Sequence, residues 1–166
     1  MPQRMTTAYI GVGSNIDKHK HIEVAIQELG QIDPQLKLSS IYQCPAIGFA
    51  GESFFNLIVE MKTSFTLIEL SNALRDIEYK YGRHVDAKKF QSRTLDLDIV
   101  LFGDECHAEN PQVPREDIYK YPFVIEPLYE LCPRLVVPND GRTIHQIWQL
   151  AKHDTGMTVV VPWFSY

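Results

Sequence analysis

Asp96 and Asp98 alternate with Leu95, Leu97 and Ile99. In an extended segment that alternation sends the aliphatic side chains to one face and both carboxylates to the other, about 7 Å apart along the strand. Like charges held side by side are unfavourable unless compensated, and a hard divalent cation with oxygen ligands is the usual compensator, so magnesium is the natural candidate. An isolated Asp-x-Asp is also what an ordinary solvated strand face looks like. Arg93 precedes the segment and Arg83 follows the preceding helical repeat, so both border the polar stretch 84–92. Acids and arginines together are what a magnesium-polyphosphate site requires, because phosphoryl transfer asks the protein chiefly to position and neutralise phosphates. Surface ion pairs would produce the same pattern, and on these residues alone both readings stay open.

Asn56 interrupts the apolar run 54–61 and shares a face with Phe54 and Ile58. A buried amide there needs partners, which a flat heterocycle would supply, and Phe54 and Phe123 could flank such a ring; aromatic residues in such places are more often plain core. The run Gly11-Val12-Gly13-Ser14-Asn15 has neither the GxGxxG continuation nor a Walker ending. It reads as a tight strand exit where glycines permit close backbone approach and Asn15 or Asp17 caps the next helix. His84, His145 and the His19/His21 pair lack transition-metal spacing, and no nucleophile elbow or Ser/His/Asp pattern is present.

The elements that must position these residues follow from periodicity. Residues 7–13 alternate as a half-buried strand. Ile22, Ala25, Ile26 and Leu29 repeat at helical spacing, with Gly30 as the expected C′ residue. Residues 36–44 and 54–62 are rich in β-branched and aromatic residues and read as the second and third strands. Thr66 and Glu69 form a capping-box pattern ahead of Leu67, Leu70, Leu74, Ile77 and Tyr81, and Gly82 stops that helix. Residues 94–102 are the fourth strand. The order β-α-β-β-α-β predicts an α+β fold with a ferredoxin-like core, four strands in one antiparallel sheet and both helices on one face. Short helical patterns at 127–131 and 143–150 are expected to cover the second face.

With 166 residues, 45% of them hydrophobic and 22% charged, the chain is expected to form one folded domain over residues 1–166. A net charge of −5 argues against a nucleic-acid partner. The sequence shows no signal-peptide pattern at residues 1–7 and no apolar run of roughly 18 residues, so a cytosolic protein without a membrane partner is expected. Cys44, Cys106 and Cys132 are widely spaced without a CxxC pair and read as reduced, structural thiols. The C-terminal stretch 159–166 reads as structural, although Trp163, Phe164 and Tyr166 would also suit a self-contact.

Taken in order, AYIGVGSN (8–15), SSIYQCPAIG (39–48), FFN (54–56), IEYKYGR (77–83), SRTLDLDIVLFG (92–103), Val113-Pro114 and FVIEPLYELCP (123–133) resemble one family, 6-hydroxymethyl-7,8-dihydropterin pyrophosphokinase. RTLDLDI followed by LFG is the most specific of these stretches. The resemblance implies transfer of the β,γ-pyrophosphate of ATP to a pterin hydroxymethyl group, with release of AMP, in folate biosynthesis. It implies that Asp96 and Asp98 hold two magnesium ions, that Arg83 and Arg93 are catalytic, and that Glu78, Lys89, Ile99 and Arg115 join those arginines in binding ATP. On the pterin side it assigns Asn56 to reading the ring, with Asp96 beside it. Phe54 and Phe123 become the stacking pair, and Cys44, Pro45 and Ile47 complete the pocket. The stretch 84–92 becomes a loop that closes over both substrates and excludes water. Small-molecule substrates and a monomer, with a dimer left open, complete the expectation.

The departures from the family pattern lie around the nucleotide. Phe90 stands where tryptophan is usual, Val85 and Lys89 where arginines are common, and Gln91-Ser92 where Gly-Pro is usual. Arg115 replaces a histidine, with Glu116 as its neighbour; Tyr121 sits where an arginine often meets the nucleotide, and Cys44 replaces a threonine. They motivate an alternative from another class: a divergent relative that binds a pterin or nucleotide with weak or no catalysis.

Overall fold

The computed structural model describes residues 4–45, 53–82, 95–153 and 155–166. Alternation in β1 (Thr6–Ser14), β4 (Phe54–Thr63) and β5 (Asp96–Phe102) sends every second residue to the same side of an antiparallel sheet. Helices α1 (Lys18–Ile32) and α2 (Leu67–Lys80) lie on one side. There Ile22, Ala25, Leu29, Leu70 and Leu74 meet Ile10, Val12, Leu57, Leu97 and Ile99 in one buried cluster. On the other side α3 (Asp117–Lys120), α4 (Pro122–Leu131) and α5 (Ile144–Leu150) enclose a second cluster in which Val124, Leu128, Ile144 and Ile147 pack with Tyr9, Ile58, Val100 and Leu101. The second face is thus covered by C-terminal helices, as the sequence predicts.

The sheet has six strands among the described residues, not four: its order is β5-β1-β4-β3-β6, with β2 also paired to β4. Two local causes account for the difference. The strand expected over 36–44 divides into β2 (Lys37–Leu38) and β3 (Ile41–Cys44) at Ser39 and Ser40. There the Ser39 hydroxyl oxygen accepts from the Ile58 N–H at 2.9 Å, so a side chain enters the ladder in place of backbone. β6 (Thr158–Val160) then adds antiparallel to β3. Just beyond it Trp163 rests on His19 and Phe55, at ring separations of 4.6 and 5.4 Å, and Phe164 packs beside it. Trp163 and Phe164 therefore pack against the chain's own core, in line with a structural role for this stretch, while Tyr166 is exposed.

The helix boundaries show which local signals hold. Thr66 and Glu69 make the reciprocal capping box at the start of α2, and Gly82, at φ 102°, follows its end. α1 departs from expectation at both ends. Gly30 lies inside it, because Ile32 continues the apolar stripe against the core and the Asp33 N–H closes the last turn on the Leu29 carbonyl. At its start Asp17 has φ 48° and no side-chain cap; its carbonyl accepts from the His21 N–H instead, while the His21 ring hydrogen-bonds the Ile16 and Asp17 carbonyls. Among the described residues no helix is long and apolar enough to cross a membrane.

β5 carries one irregularity that positions the site. Ile10 faces Ile99 and Tyr9 faces Leu101, so Val100 is an extra residue and both Val100 and Leu101 turn toward the second cluster. The Val100 carbonyl accepts from the Arg115 N–H at 2.9 Å, which ties the segment leading into α3 to the bulge.

Candidate active site

The alternation of β5 places Leu97 and Ile99 in the helix-side core and turns Asp96 and Asp98 to the face shared with α4. Register carries those positions across the sheet: Asp98 stands opposite Gly11 and Asp96 opposite Gly13, while on the next strand Gly11 meets Ile58 and Gly13 meets Asn56. Both carboxylates and the Asn56 amide therefore open on one cleft, which Phe123 at the start of α4 and Arg115 and Asp117 at the start of α3 also line. Gly13 is what lets the amide lie there, since a Cβ at that position would stand 2.8 Å from Asn56 Oδ1. Gly11 is less constrained; a Cβ there would meet Val100 Cγ2 at an ordinary 3.6 Å. Both glycines sit within β1, not at a strand exit, but the close approach read from their sequence is present at Gly13.

Burial, and then the neighbouring Asp96 charge, push the Asp98 carboxyl up to about 7, while the Arg115 guanidinium pulls in the opposite direction. Arg115 Nη1 lies 3.7 Å from Asp98 Oδ1, and Arg115 Nε donates to Asp117 Oδ2 at 2.8 Å. Among the described residues the cleft therefore combines three carboxylates and one guanidinium. Among the described residues no group of three or more His, Cys, Asp or Glu side chains is close enough together to hold a metal ion. Any cation bound by Asp96 and Asp98 must complete its coordination with water or with a bound molecule.

Among the described residues β5 is an edge strand, so an outward N–H on it has no strand partner among them. For Leu97, between the two aspartates, that partner is Glu78 of α2, whose carboxylate accepts at 2.7 Å. Glu78 is completely buried and also paired with Arg75 one turn earlier. Glu78 thus supports the acidic segment from the α2 side. Ile99 has its side chain in the core at 4% exposure, so only its main chain can meet a ligand.

On the other side of Asn56, Cys44 is buried and stands opposite Phe54. Burial raises its thiol to about 11, opposed by the nearby Asn56 side chain. Cys132 is likewise raised by burial, to about 12, while Cys106 is exposed; all three are free thiols. Phe123 stacks on Tyr121 with ring centroids 5.0 Å apart, and Phe54 is half-buried on β4, two residues before Asn56. Pro45 is exposed. Ile47, Arg83, Lys89 and Arg93, with the whole stretch 84–92, lie outside the described residues.

The structure therefore brings together Asp96, Asp98, Asn56, Phe123 and Arg115 of the residues singled out from sequence. It adds Asp117, which sequence reasoning missed, and sets the close approach at Gly13 beside Asn56. The signal for Asp117 was its position two residues after Arg115, the spacing at which their side chains now meet.

Comparison with known proteins agrees with this geometry. Residues 9–133 match the family model described as 7,8-dihydro-6-hydroxymethylpterin-pyrophosphokinase (HPPK). The 2-amino-4-hydroxy-6-hydroxymethyldihydropteridine pyrophosphokinase of Haemophilus influenzae is 32% identical over 154 residues, covering 90% of this chain and 96% of the relative. The enzyme of the same name from Bacillus subtilis is 37% identical over 133 residues, covering 77% and 79%. The crystal structure of Plasmodium falciparum HPPK-DHPS superposes with a TM-score of 0.61 at 11% identity, over 87% of this chain and 43% of that one, a likeness of fold alone. A family match that begins in β1 and ends just past α4 takes in every described residue of the cleft, and the chain belongs to the HPPK family.

Proposed function

We propose that the cleft transfers the pyrophosphate of ATP to the hydroxymethyl group of 6-hydroxymethyl-7,8-dihydropterin, releasing AMP. The observation that carries this reading is that the Asp96/Asp98 pair and the Asn56 amide, far apart in sequence, open on one cleft. It is the chemistry expected where a polyphosphate must meet a flat heterocycle, and it agrees with the family to which the chain belongs.

The donor set fits magnesium. Asp96 and Asp98 offer only oxygen, and Mg²⁺ is commonly held by one or two carboxylates with water and substrate phosphates filling its other positions. Two such ions on the dyad would supply charge neutralisation for the triphosphate and polarise the attacked phosphorus. The chain's own residues do the rest. Asn56 reads the edge of the pterin with its amide donor and acceptor, and Phe123 stacks on the ring face. Phe54, Cys44, Pro45 and Ile47 complete that pocket in the same reading. Arg115 meets phosphate oxygens from the rim of the cleft, with Arg83, Arg93 and Lys89 as further cations toward the triphosphate; the planar fork of an arginine suits two-point contact with phosphate. Glu78 keeps the strand between the aspartates in place, and Ile99 meets the nucleotide through its main chain. A monomer in the cytosol, acting on small molecules without nucleic-acid or membrane partners, belongs to the same reading.

Nothing among the described residues favours the alternative of a weakly active relative. The test is AMP release from ATP, the dihydropterin and Mg²⁺ by the purified chain. Release that depends on all three supports the proposal, and no release above background alongside measurable pterin binding overturns it.

A further inference from the structure

Arg115 stands where a cation would compete with it. Its Nη1 is 3.7 Å from Asp98 Oδ1, its Nε is held by Asp117 Oδ2 at 2.8 Å, and its backbone N–H is fixed to the Val100 carbonyl at the bulge of β5. The side chain is about one-third exposed, and Asp98 and Asp117 are less so. A guanidinium held by one carboxylate while its other arm reaches a second does two things. It offsets the charge of Asp98, and it lines the cleft with the rest of its planar fork.

The geometry points to Arg115 as a built-in counter-cation of the acidic pair, which Asp117 positions there and which yields Asp98 when a divalent ion binds. On yielding, the guanidinium keeps its hold on Asp117 and turns its Nη groups to the phosphates. Asp117 is then a positioning residue acting through Arg115. This inference rests on the reading of Asp96 and Asp98 as cation ligands, and it has a consequence that reading alone lacks. Removing the Arg115 charge acts in opposite directions on the metal and on the nucleotide.

The experiment measures Mn²⁺ alone, without nucleotide, by the electron paramagnetic resonance of the free ion, on the full chain and on Arg115→Gln, Arg115→Lys and Asp98→Asn. Removal of a competing charge predicts that Arg115→Gln binds Mn²⁺ about five- to tenfold tighter than wild type. Arg115→Lys, which keeps the charge, stays near wild type, and Asp98→Asn loses binding. In steady-state assays Arg115→Gln raises the KM for ATP, as does Asp117→Asn. The double variant is no worse than Arg115→Gln alone, the non-additivity expected if Asp117 works only through the arginine. An Arg115→Gln protein that binds Mn²⁺ no tighter than wild type, while Asp98→Asn still loses it, overturns the counter-cation and leaves the metal assignment standing. Additive effects of Arg115→Gln and Asp117→Asn on KM overturn the positioning role. An Asp98→Asn protein that binds Mn²⁺ as wild type does sinks the metal assignment and, with it, this inference.

Discussion

The two faces of the same sheet are built from the same strands and do opposite work. On the helix side, Leu97 and Ile99 of β5 and Ile10 and Val12 of β1 are sealed under α1 and α2 in a cluster of aliphatic and aromatic side chains. On the cleft side, the residues between them are Asp96, Asp98, Gly11 and Gly13, with Asn56 alongside. Period two in a strand lets each position be chosen for one face without disturbing the other. Charge and missing side chains, which would be defects in the helix-side core, are on the cleft side the means of holding ligands. The contrast predicts that substitutions on one face change chemistry with little change in stability, and that the reverse holds on the other.

The largest effect on activity is expected from Asp98→Ala or Asp96→Ala. Loss of one group that stabilises transition-state charge commonly costs about 10²–10³ in kcat, and AMP release should fall at least that far. The midpoint of thermal unfolding should stay at or above that of wild type, because one of two like charges has gone. A fall in stability to match the fall in rate would break the contrast between the faces.

Gly13→Ala sharpens it. The new Cβ displaces the Asn56 amide, so the KM for the pterin should rise about tenfold or more, the scale at which small misplacements are felt. The KM for ATP should be nearly unchanged. Gly11→Ala, with ordinary clearance, serves as its control and should stay within about twofold in both constants. Equal effects at the two glycines would deny the amide its role.

On the opposite face, Leu70→Ala empties a completely buried position of α2. It should cost about 2–5 kcal/mol in urea unfolding, while kcat at a temperature where the chain stays folded remains near wild type.

The smallest effect lies far from both. The Arg142 fork and the Tyr119 hydroxyl hydrogen-bond Asp140 and hold its carboxyl below the usual range. Because the folded-state value is lowered, the stabilisation is present above about pH 4, the unfolded value. It is lost as pH falls through the folded value. Asp140→Asn should therefore be less stable than wild type by under about 1 kcal/mol at pH 7, as for other exposed pairs, with the two curves converging in acid; activity should not change.

The same division explains what could be read from sequence. Alternation in LDLDI specifies both faces of β5 directly, and the Thr66/Glu69 cap needs only residues three apart. What sequence concealed depends on contacts between distant segments. Ser39 interrupts a strand by bonding to Ile58 of β4, Gly30 stays helical because Ile32 beyond it finds the core, and the three residues of β6 are too few to carry a period. In the site, the acids and Asn56 announce themselves by being polar within apolar runs. Asp117 stands among ordinary polar residues in sequence and gains its meaning from Arg115, and Glu78 is held as a buried support by the Leu97 N–H of β5 and by Arg75.

The central claim, that Asp96 and Asp98 share one working cleft with Asn56, is tested most directly by crystals grown with Mn²⁺, a non-hydrolysable ATP analogue and the dihydropterin. Anomalous peaks for Mn²⁺ are expected between the two carboxylates and the triphosphate, with the pterin edge on Asn56. Bound analogue and pterin with no Mn²⁺ on either aspartate would contradict it.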